Sequence, residues 1–531
     1  MTFLSGISAV LKSASDNFVS AVCGVPGSPM TDVVSAFESS DVETDWFVNE
    51  KIAFEWALGY SFSGIRSLVA VKHVGMNVLA DPLMTSMIHT IGAGLVILVG
   101  DDPEVSGSQN SQDSRYYGSL SRSPVFDPAS PQEIYDYLAA AFQLSEEIKA
   151  PVIIRVTAAV LNEESEVIET DFSKPEPSNI AADESLWQYR MRGRHLRSHF
   201  ENDEILSQAA ADFCFVENAG KSNKKRLGII TSGYCFSRVQ SVLESVSKNN
   251  IGLADFDFSV LKLGVVSPLS ISKIRHFLEN HETVLVAEES EPFIEDQIRV
   301  FGNVIGKRSG HLPFGSVTTA HILSAIENAG VSTLPVSKDL EMFKRPAGKS
   351  YFCDGCLYPS FYEMLGRLKA ETGVYVSGDI GCSMYGIVPP YSVLDSAVSL
   401  GAAIGIGSGA ARVQNRKSVA VIGDFGFFHS GLLSLIEAAE KNVPSLIYVM
   451  QNSAAAMTGG KFAYDPEKLI RAGLDSGANP LNSVQSFDFV SAVEEDLNSD
   501  MQLLLKASFE EIEKAGVSVI IIRWKCRKCQ P

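Results

Sequence analysis

The stretch VAVIGDFGFFHSG (419–431) sets a short apolar strand directly before a Gly-Asp turn, and SLIYVMQN (445–452) sets a second strand before an Asn. Short apolar runs that alternate with helical patterns, as they do along this chain, predict an α/β fold with parallel sheets. The carboxyl ends of parallel strands meet at one edge of the sheet, where ligands bind. We therefore expect Asp424 and Asn452 to lie close together at such an edge.

This pair predicts a magnesium–diphosphate site. Mg²⁺ prefers hard oxygen ligands, so Asp424, Asn452 and a backbone carbonyl would leave the remaining positions to diphosphate oxygens and water. Gly423 belongs to the same turn, and a helix that starts near Gly431 would point its amides at the phosphates. His429 is expected either near the diphosphate or as a support of the loop. The alternative is that Asp424 is a structural loop residue.

Composition excludes several classes of protein. The chain has 531 residues, is 45% apolar and 20% charged, and carries a net charge of −19, which argues against nucleic acid and anionic membranes as partners. No apolar run approaches the ~18–20 residues of a membrane span, and the N-terminus predicts no signal peptide. Eight cysteines are too few for a disulfide scaffold, so we expect a cytoplasmic enzyme with cysteines in its core or on a metal.

The cysteines fall into two groups. Core residues are expected at Cys23, Cys214 and Cys235. The others follow a ligand-like pattern, with Cys353 and Cys356 in a C-x-x-C, Cys382 in a Gly-flanked loop, and Cys526 and Cys529 near the end of the sequence. C-x-x-C suits a metal ion or a cluster, and the wide separation of the two pairs excludes a zinc ribbon. A zinc site of another kind and unligated cysteines remain open alternatives.

Four residues of the first part are candidates for work on substrate or cofactor. Glu50 opens the helical pattern EKIAFEWALGY, where it would serve as a catalytic carboxylate or simply as a favourable residue of a first helical turn. Arg115 offers a bidentate fork for a carboxylate, His73 a proton or a hydrogen bond, and Ser28 a hydroxyl in a Gly/Pro-rich turn. Each has an equally good structural explanation.

A family resemblance joins these features. The chain resembles the alpha subunit of indolepyruvate:ferredoxin oxidoreductase, within the thiamine diphosphate-dependent 2-oxoacid:ferredoxin oxidoreductases. The matching stretches, spread over both ends of the chain, are GVPGSPMTD (24–32), VNEKIAFEWALG (48–59), VKHVGMNVLADPLM (71–84), GDDPEVSGSQNSQDSRYYG (100–118), FCDGCLYPSF (352–361), GDIGCSMYGIVPP (378–390), GDFGFFHSG (423–431) and QNSAAAMTGG (451–460).

The resemblance implies a domain order. It predicts a pyrimidine-binding thiamine domain at 1–165, a connector at 166–222, a transketolase C-terminal-like α/β domain at 223–340 and a diphosphate-binding domain at 341–531. The resemblance implies that Glu50 acts on the aminopyrimidine of thiamine diphosphate and that Mg²⁺ binds at the diphosphate-binding domain.

The resemblance also implies a redox cofactor and partners. A [4Fe–4S] cluster would be held by Cys353, Cys356, Cys382 and Cys526, with Cys529 as a possible substitute. The expected reaction is oxidative decarboxylation of a 2-oxo acid, with an aryl pyruvate as the best candidate, coenzyme A as cosubstrate and a ferredoxin-type acceptor. A smaller second subunit and homo-oligomerisation are expected partners.

Three departures from the family pattern leave a second hypothesis about the function open. The sequence ends at Pro531 without the ferredoxin-like domain of the familiar alpha subunit, Tyr358 stands where the family often has His, and SAAA follows Asn452 where relatives are more polar. The alternative is a non-oxidative thiamine-dependent decarboxylase or carboligase. A thiamine-binding scaffold without turnover of its own is a third possibility.

Overall fold

The computed structural model describes residues 2–105, 108, 110–170, 194–218, 225–249, 256–335, 351–452, 454–461, 464–475, 483–488 and 494–526. It divides into two compact units, Met1–Asp339 and Leu340–Pro531. The predicted connector 166–222 lies partly outside the described residues, as does Pro335–Lys349, a stretch whose sequence predicts a linker, and Cys529 lies entirely outside them. The division into four regions stays a prediction.

Unit 1 begins with alternating strands and helices. Its elements up to residue 170 are β1 (Thr2–Ser5), α1 (Gly6–Asp16), β2 (Ala21–Gly24), α2 (Met30–Phe37), β3 (Glu43–Trp46), α3 (Glu50–Phe62), β4 (Ser67–Lys72), α4 (His73–Ser86), β5 (Leu95–Asp101), α5 (Arg115–Ser121), β6 (Val125–Phe126), α6 (Pro131–Ile148), β7 (Val152–Thr157), α7 (Ala158–Asn162) and β8 (Glu164–Val167). The remaining elements of unit 1 are α8 (Arg194–Asp212), β9 (Cys214–Asn218), β10 (Lys225–Ser232), α9 (Tyr234–Asn249), β11 (Phe256–Leu263), β12 (Val265–Ser267), α10 (Ile271–Glu279), β13 (Thr283–Ala287), α11 (Phe293–Ile298), β14 (Val304–Ile305) and α12 (Thr319–Glu327).

Two larger sheets organise the described part of unit 1. The first has the order β12-β6-β7-β5-β4-β2-β3 and is parallel except for the pairing of β12 with β6. The second has the order β14-β13-β10-β11-β9 and is parallel except for β9. Strand β5 is buried along its whole length, as its unbroken apolar run predicts for a parallel strand covered on both faces.

Arg155 on β7 forms buried ion pairs within the first sheet and also contacts the second. It donates to Asp101 at 2.8 Å and to Asp127 at 3.1 Å, and its third nitrogen lies 3.3 Å from the Ser290 hydroxyl beyond β13. The side chains of Arg155, Asp101 and Asp127 are almost completely buried. Loss of one partner would leave a buried charge unpaired, so these contacts stabilise the region where the two sheets meet.

Unit 2 carries a parallel sheet throughout its described residues. Its elements are α13 (Tyr358–Thr372), β15 (Val376–Gly378), β16 (Ser396–Ala397), α14 (Ala403–Gln414), β17 (Ser418–Gly423), α15 (Asp424–Gly426), α16 (Leu432–Glu440), β18 (Ser445–Gln451), α17 (Pro466–Asp475), β19 (Ser483–Asp488), α18 (Glu494–Ile512) and β20 (Val517–Arg523). The strand order is β16-β15-β17-β18-β20-β19. A 3₁₀ turn at Cys382–Ile387, a π-helical turn at Phe427–Gly431 and a 3₁₀ turn at Ala456–Thr458 lie between these elements.

The α/β fold class with parallel sheets at both ends of the chain is confirmed. The helix expected from Glu50 is α3, and the strand expected at 445–451 is β18. The run DWFV (45–48) predicts a strand, whereas β3 spans Glu43–Trp46. The run LVAVKH (68–73) predicts a strand that ends at His73, whereas His73 begins α4. No helix in the described residues is long and apolar enough to cross a membrane.

Candidate functional site

The carboxyl edge of the unit 2 sheet collects the polar residues of the diphosphate motif. Asp424 follows β17 and Asn452 follows the neighbouring strand β18, so both lie at the same edge. The backbone N–H of Asn452 donates to Asp424 Oδ2 at 3.1 Å, and the backbone N–H of Phe425 donates to Asp424 Oδ1 at 2.8 Å. Asp424 is buried, whereas Asn452 is half-buried. The structure therefore brings together the two predicted oxygen donors.

The neighbouring residues of the motif form a tight turn. Gly423 ends β17, and the chain continues through α15 and the π-helical turn into α16. His429 is half-buried in this turn, and its Nδ1 lies 3.3 Å from the Ser430 hydroxyl. Ser430 in turn donates to the Leu400 carbonyl at 3.0 Å. The contact of His429 with Ser430 suits a residue that supports the loop. Its role at the diphosphate stays a prediction.

Asp379, a residue that the sequence analysis missed, lies at the same edge. It follows β15, which neighbours β17, and its Oδ1 accepts hydrogen bonds from the Ile380 amide at 2.9 Å and the Gly401 amide at 2.7 Å. Its Oδ2 is buried and has no hydrogen-bond partner among the described residues. Burial raises the pKa of Asp379 to about 7, against the effect of these amides and of His429.

A glycine accommodates the buried Asp379 carboxyl. A Cβ placed on Gly426 would lie 2.0 Å from Asp379 Oδ2, so the two residues meet without space for a side chain. The signal for Asp379 was present in the sequence, because VSGD (376–379) repeats the strand–Gly-Asp pattern of VIGD (421–424). The pattern at 376–379 did not indicate a cofactor site because no Asn follows Asp379 at a spacing comparable to that of Asp424 and Asn452.

Four predicted cluster ligands lie around the same unit. Cys353 is exposed, and Cys356, Cys382 and Cys526 are half-buried. Burial raises the pKa of the Cys356 thiol to about 11, with Cys353 and Cys526 adding to the rise, while the Tyr358 and Leu357 amides donate to its sulfur and oppose it. Within the described residues, no three His, Cys, Asp or Glu side chains converge closely enough to hold a single metal ion.

Glu50 occupies a sheltered position in unit 1. It is the first residue of α3, is 6% exposed, and follows the N-cap Asn49, whose side chain accepts from the Lys51 amide. A Cβ on Gly75 would lie 2.8 Å from Glu50 Oε1, so the glycine at the start of α4 makes room for the carboxylate. A buried carboxylate at this position suits the role predicted for it, which stays a prediction.

Lys72 is a second residue that the sequence analysis missed. Burial lowers its pKa, while the Asp102 and Glu50 carboxylates raise it, so the lysine acts electrostatically on Glu50. Its stem lies over the Gly-Pro turn, because a Cβ on Gly27 would be 2.7 Å from its Cδ. The lysine stood next to His73 in the quoted motif, but nothing local in the sequence indicates its position beside Glu50.

His73 and Ser28 lie in the same part of unit 1. His73 is fully buried, with Nδ1 3.3 Å from the Gly100 carbonyl and Nε2 3.2 Å from the Asn110 carbonyl. Ser28, in contrast, is exposed in its turn. Hence His73 holds the loop after β5, whereas Ser28 presents its hydroxyl at the surface of the unit.

Arg115 is engaged elsewhere. It is fully buried and pairs with Asp113 at 2.5 Å and Glu288 at 2.7 Å, and it donates further to the carbonyls of Glu289 and Glu291. All three guanidinium nitrogens therefore already have partners. This arrangement argues against the predicted contact with a substrate carboxylate and indicates a structural role for Arg115.

The sheet edge of unit 2 belongs to a known class of cofactor-binding domain. Residues 379–522 match the family model described as the thiamine pyrophosphate enzyme, C-terminal TPP binding domain. The match begins at Asp379 and includes Asp424 and Asn452. The fold and this site therefore define a thiamine pyrophosphate enzyme.

Full-length relatives specify the family. The chain is 30% identical to indolepyruvate oxidoreductase subunit IorA of Methanothermobacter marburgensis over 99% of this chain and 86% of that protein. It is also 30% identical to the subunit of the same name from Thermococcus kodakarensis, over 98% of this chain and 85% of that one. The chain belongs to the indolepyruvate oxidoreductase subunit IorA family, and the predicted class of enzyme, a 2-oxoacid oxidoreductase, is confirmed.

A solved structure shows a looser similarity. The 2-oxoglutarate:ferredoxin oxidoreductase from Magnetococcus marinus aligns with a TM-score of 0.47 at 12% identity, over 62% of this chain and 65% of that one.

Proposed function

We propose that this thiamine pyrophosphate-dependent enzyme oxidatively decarboxylates an aryl pyruvate such as indolepyruvate and passes the electrons through a [4Fe–4S] cluster to a ferredoxin-type acceptor. The observation that carries the proposal is the hydrogen bond from the backbone N–H of Asn452 to the Asp424 carboxylate at the edge of a parallel sheet. The relatives' name, indolepyruvate oxidoreductase, supports the substrate.

Asp424 and Asn452 would hold Mg²⁺ and, through it, the diphosphate. Both supply hard oxygen atoms, and Mg²⁺ in proteins commonly takes one or two such ligands with phosphate oxygens and water. Gly423 joins β17 to the turn, and His429 lies half-buried within that turn. The donor set therefore fits the group that the family requires.

Glu50 would act on the aminopyrimidine ring. Thiamine diphosphate, when bound and activated by loss of a proton, would supply the nucleophile and the electron sink that decarboxylation of a 2-oxo acid requires. Glu50 would hold and return the proton that this activation requires, in a site kept largely dry by its burial. Lys72 lies over the Gly-Pro turn of the same region, and His73 and Ser28 remain candidates for orienting the substrate.

Cys353, Cys356, Cys382 and Cys526 would bind the cluster. Their chemistry fits, since cysteine thiolates are the usual ligands of such clusters, and amides donate to the Cys356 sulfur as they commonly do to cluster sulfurs. Coenzyme A would receive the acyl group. The word subunit in the relatives' name supports a second, smaller chain, and homo-oligomerisation is proposed with it.

The test combines cofactor binding with turnover. Calorimetric titration of the anaerobic protein with thiamine diphosphate and Mg²⁺ should show a ~10–100-fold weaker affinity for Asp424→Asn. Glu50→Gln should keep the affinity and lower the rate of methyl viologen reduction with indolepyruvate and coenzyme A by ~10²–10⁴-fold. The exposed Glu440→Gln is the matched control and should change neither.

Each outcome separates the alternatives. An unchanged affinity in Asp424→Asn would overturn the assignment of the diphosphate site. Release of carbon dioxide without viologen reduction by the parent protein would replace the proposal with non-oxidative decarboxylation. Binding without any turnover by the protein assembled with its partner subunit would favour a scaffold.

A further inference from the structure

Each of the four described cysteines proposed for the cluster has an aromatic residue within three positions. The pairs are Cys353 with Phe352, Cys356 with Tyr358, Cys382 with Tyr385, and Cys526 with Trp524. The cysteines themselves come from three separate stretches of unit 2, namely the turn before α13, the 3₁₀ turn after β15 and the segment after β20. Aromatic neighbours at all three stretches raise the question of whether their rings meet.

The four rings form one connected group. Phe352 stacks on Tyr358 with centroids 5.4 Å apart and meets Tyr385 edge-on at 5.7 Å. Trp524 meets Tyr358 edge-on at 5.4 Å. We call these four residues the aromatic clasp. Since the contacts run from one cysteine-bearing stretch to the next, the clasp links all of them.

Tyr358 is the centre of the clasp. Its side chain is 3% exposed and contacts Phe352, Trp524 and also Tyr362, which stacks on it at 5.6 Å. The Tyr362 hydroxyl donates to the Ser383 carbonyl at 2.5 Å, which fixes α13 to the turn that carries Cys382. Tyr358 also contributes the amide that donates to the Cys356 sulfur. Ring and backbone of one residue thus act on several ligand stretches at once.

We propose that the aromatic clasp, with Tyr358 as a positioning residue, holds the four cysteines in place for the cluster and shields from water the side of the cluster bound by Cys356 and Cys382, which pack against the core that contains Tyr358. Aromatic contacts of this kind are favourable beyond the area they bury, so the stretches are ordered before the cofactor arrives. Ordering in advance lowers the cost of binding. This inference rests on the proposed function, because it requires that the cysteines bind a cluster.

Shielding has a consequence for the reduction potential. The reduced state of a cluster with four thiolates carries one more negative charge than the oxidised state, and water stabilises that charge more than aromatic rings do. Solvent exposure is one of the factors that set the potential of such clusters. Removal of the Tyr358 ring should therefore raise the potential.

The experiment compares Tyr358→Leu and Tyr358→Phe with the parent after anaerobic reconstitution of the full chain. Iron loss to a chelator is timed, and the midpoint potential is measured by EPR-monitored redox titration. We expect ~10–100-fold faster iron loss and a higher potential in Tyr358→Leu, the range typical of lost supporting contacts at metal sites. Tyr358→Phe keeps the ring and should behave like the parent.

Tyr448→Leu is the matched control, because Tyr448 is a buried tyrosine of β18 whose hydroxyl bonds to Ser508 and whose ring contacts Phe361. It should lower the stability of the fold without changing the potential or the relative rate of iron loss. Parent-like iron retention and potential in Tyr358→Leu would overturn this inference alone. A parent protein that binds no iron after reconstitution would overturn both the inference and the proposed cluster.

Discussion

The buried Asp379 carboxyl makes the stability of unit 2 depend on pH in a calculable way. Burial raises its pKa from 3.8 to about 7. Because the pKa of this acid is higher in the folded state than in the unfolded state, ionisation destabilises the fold. The penalty is absent below about pH 4 and complete above about pH 7. At about 1.4 kcal/mol per pKa unit, the whole penalty is about 4 kcal/mol, and more than half of it develops between pH 5 and 8.

Asp379→Asn removes this titration while preserving shape. The amide oxygen of Asn can still accept from the Ile380 and Gly401 amides, and its nitrogen replaces an oxygen that has no hydrogen-bond partner in the described residues. Relative to the parent, the variant should gain roughly 2–3 kcal/mol of stability between pH 5 and 8. For a unit of this size the gain corresponds to roughly 5–10 °C in Tm.

The assay is differential scanning calorimetry of the cofactor-free protein at pH 5 and pH 8. The control is Glu363→Gln, an exposed carboxylate on α13 of the same unit, for which the difference from the parent should be the same at both pH values. If the Tm difference between Asp379→Asn and the parent did not change with pH, the carboxyl would be ionised throughout, and the reasoning from its burial would be refuted.

Two other predictions concern packing and charge. Arg155→Met should lower the free energy of unfolding, measured in urea, by about 3–5 kcal/mol, because it leaves buried carboxylates without their cation. The control Arg122→Ala removes an exposed ion pair and should cost less than about 1 kcal/mol. Equal losses in the two variants would contradict this distinction. Gly426→Ala should lower the stability in thermal unfolding by about 1–3 kcal/mol, because the added Cβ would collide with Asp379. Adding Asp379→Ala should recover most of this loss. If the double variant were not rescued, another contact would be responsible.

The part of the site that local sequence could predict is the part built on parallel strands. Apolar runs indicated β17 and β18, and the rule that strand ends meet at one edge was enough to bring Asp424 and Asn452 together. The same rule applied to Asp379, whose strand–Gly-Asp signal was present but lacked a second polar strand end to mark it.

Long-range contacts account for what local sequence could not predict. Arg115 is paired both with Asp113, two positions away, and with Glu288 in a distant strand region, so its apparent availability in the sequence was misleading. Likewise, β12 has three residues and gains its place only by pairing with β6. The contacts among the clasp rings arise from three separate stretches, and no spacing in the sequence encodes them.

The pairing of β12 with β6 has a consequence for synthesis of the protein. Val265 completes the sheet edge at Phe126, so the first sheet cannot close until the ribosome has passed residue 267. At ~5–20 residues per second, that delay after β7 is on the order of ten seconds, during which Val125 and Phe126 present an open edge to other chains. A fragment that ended near residue 222 would retain this edge permanently, and we expect it to aggregate rather than fold.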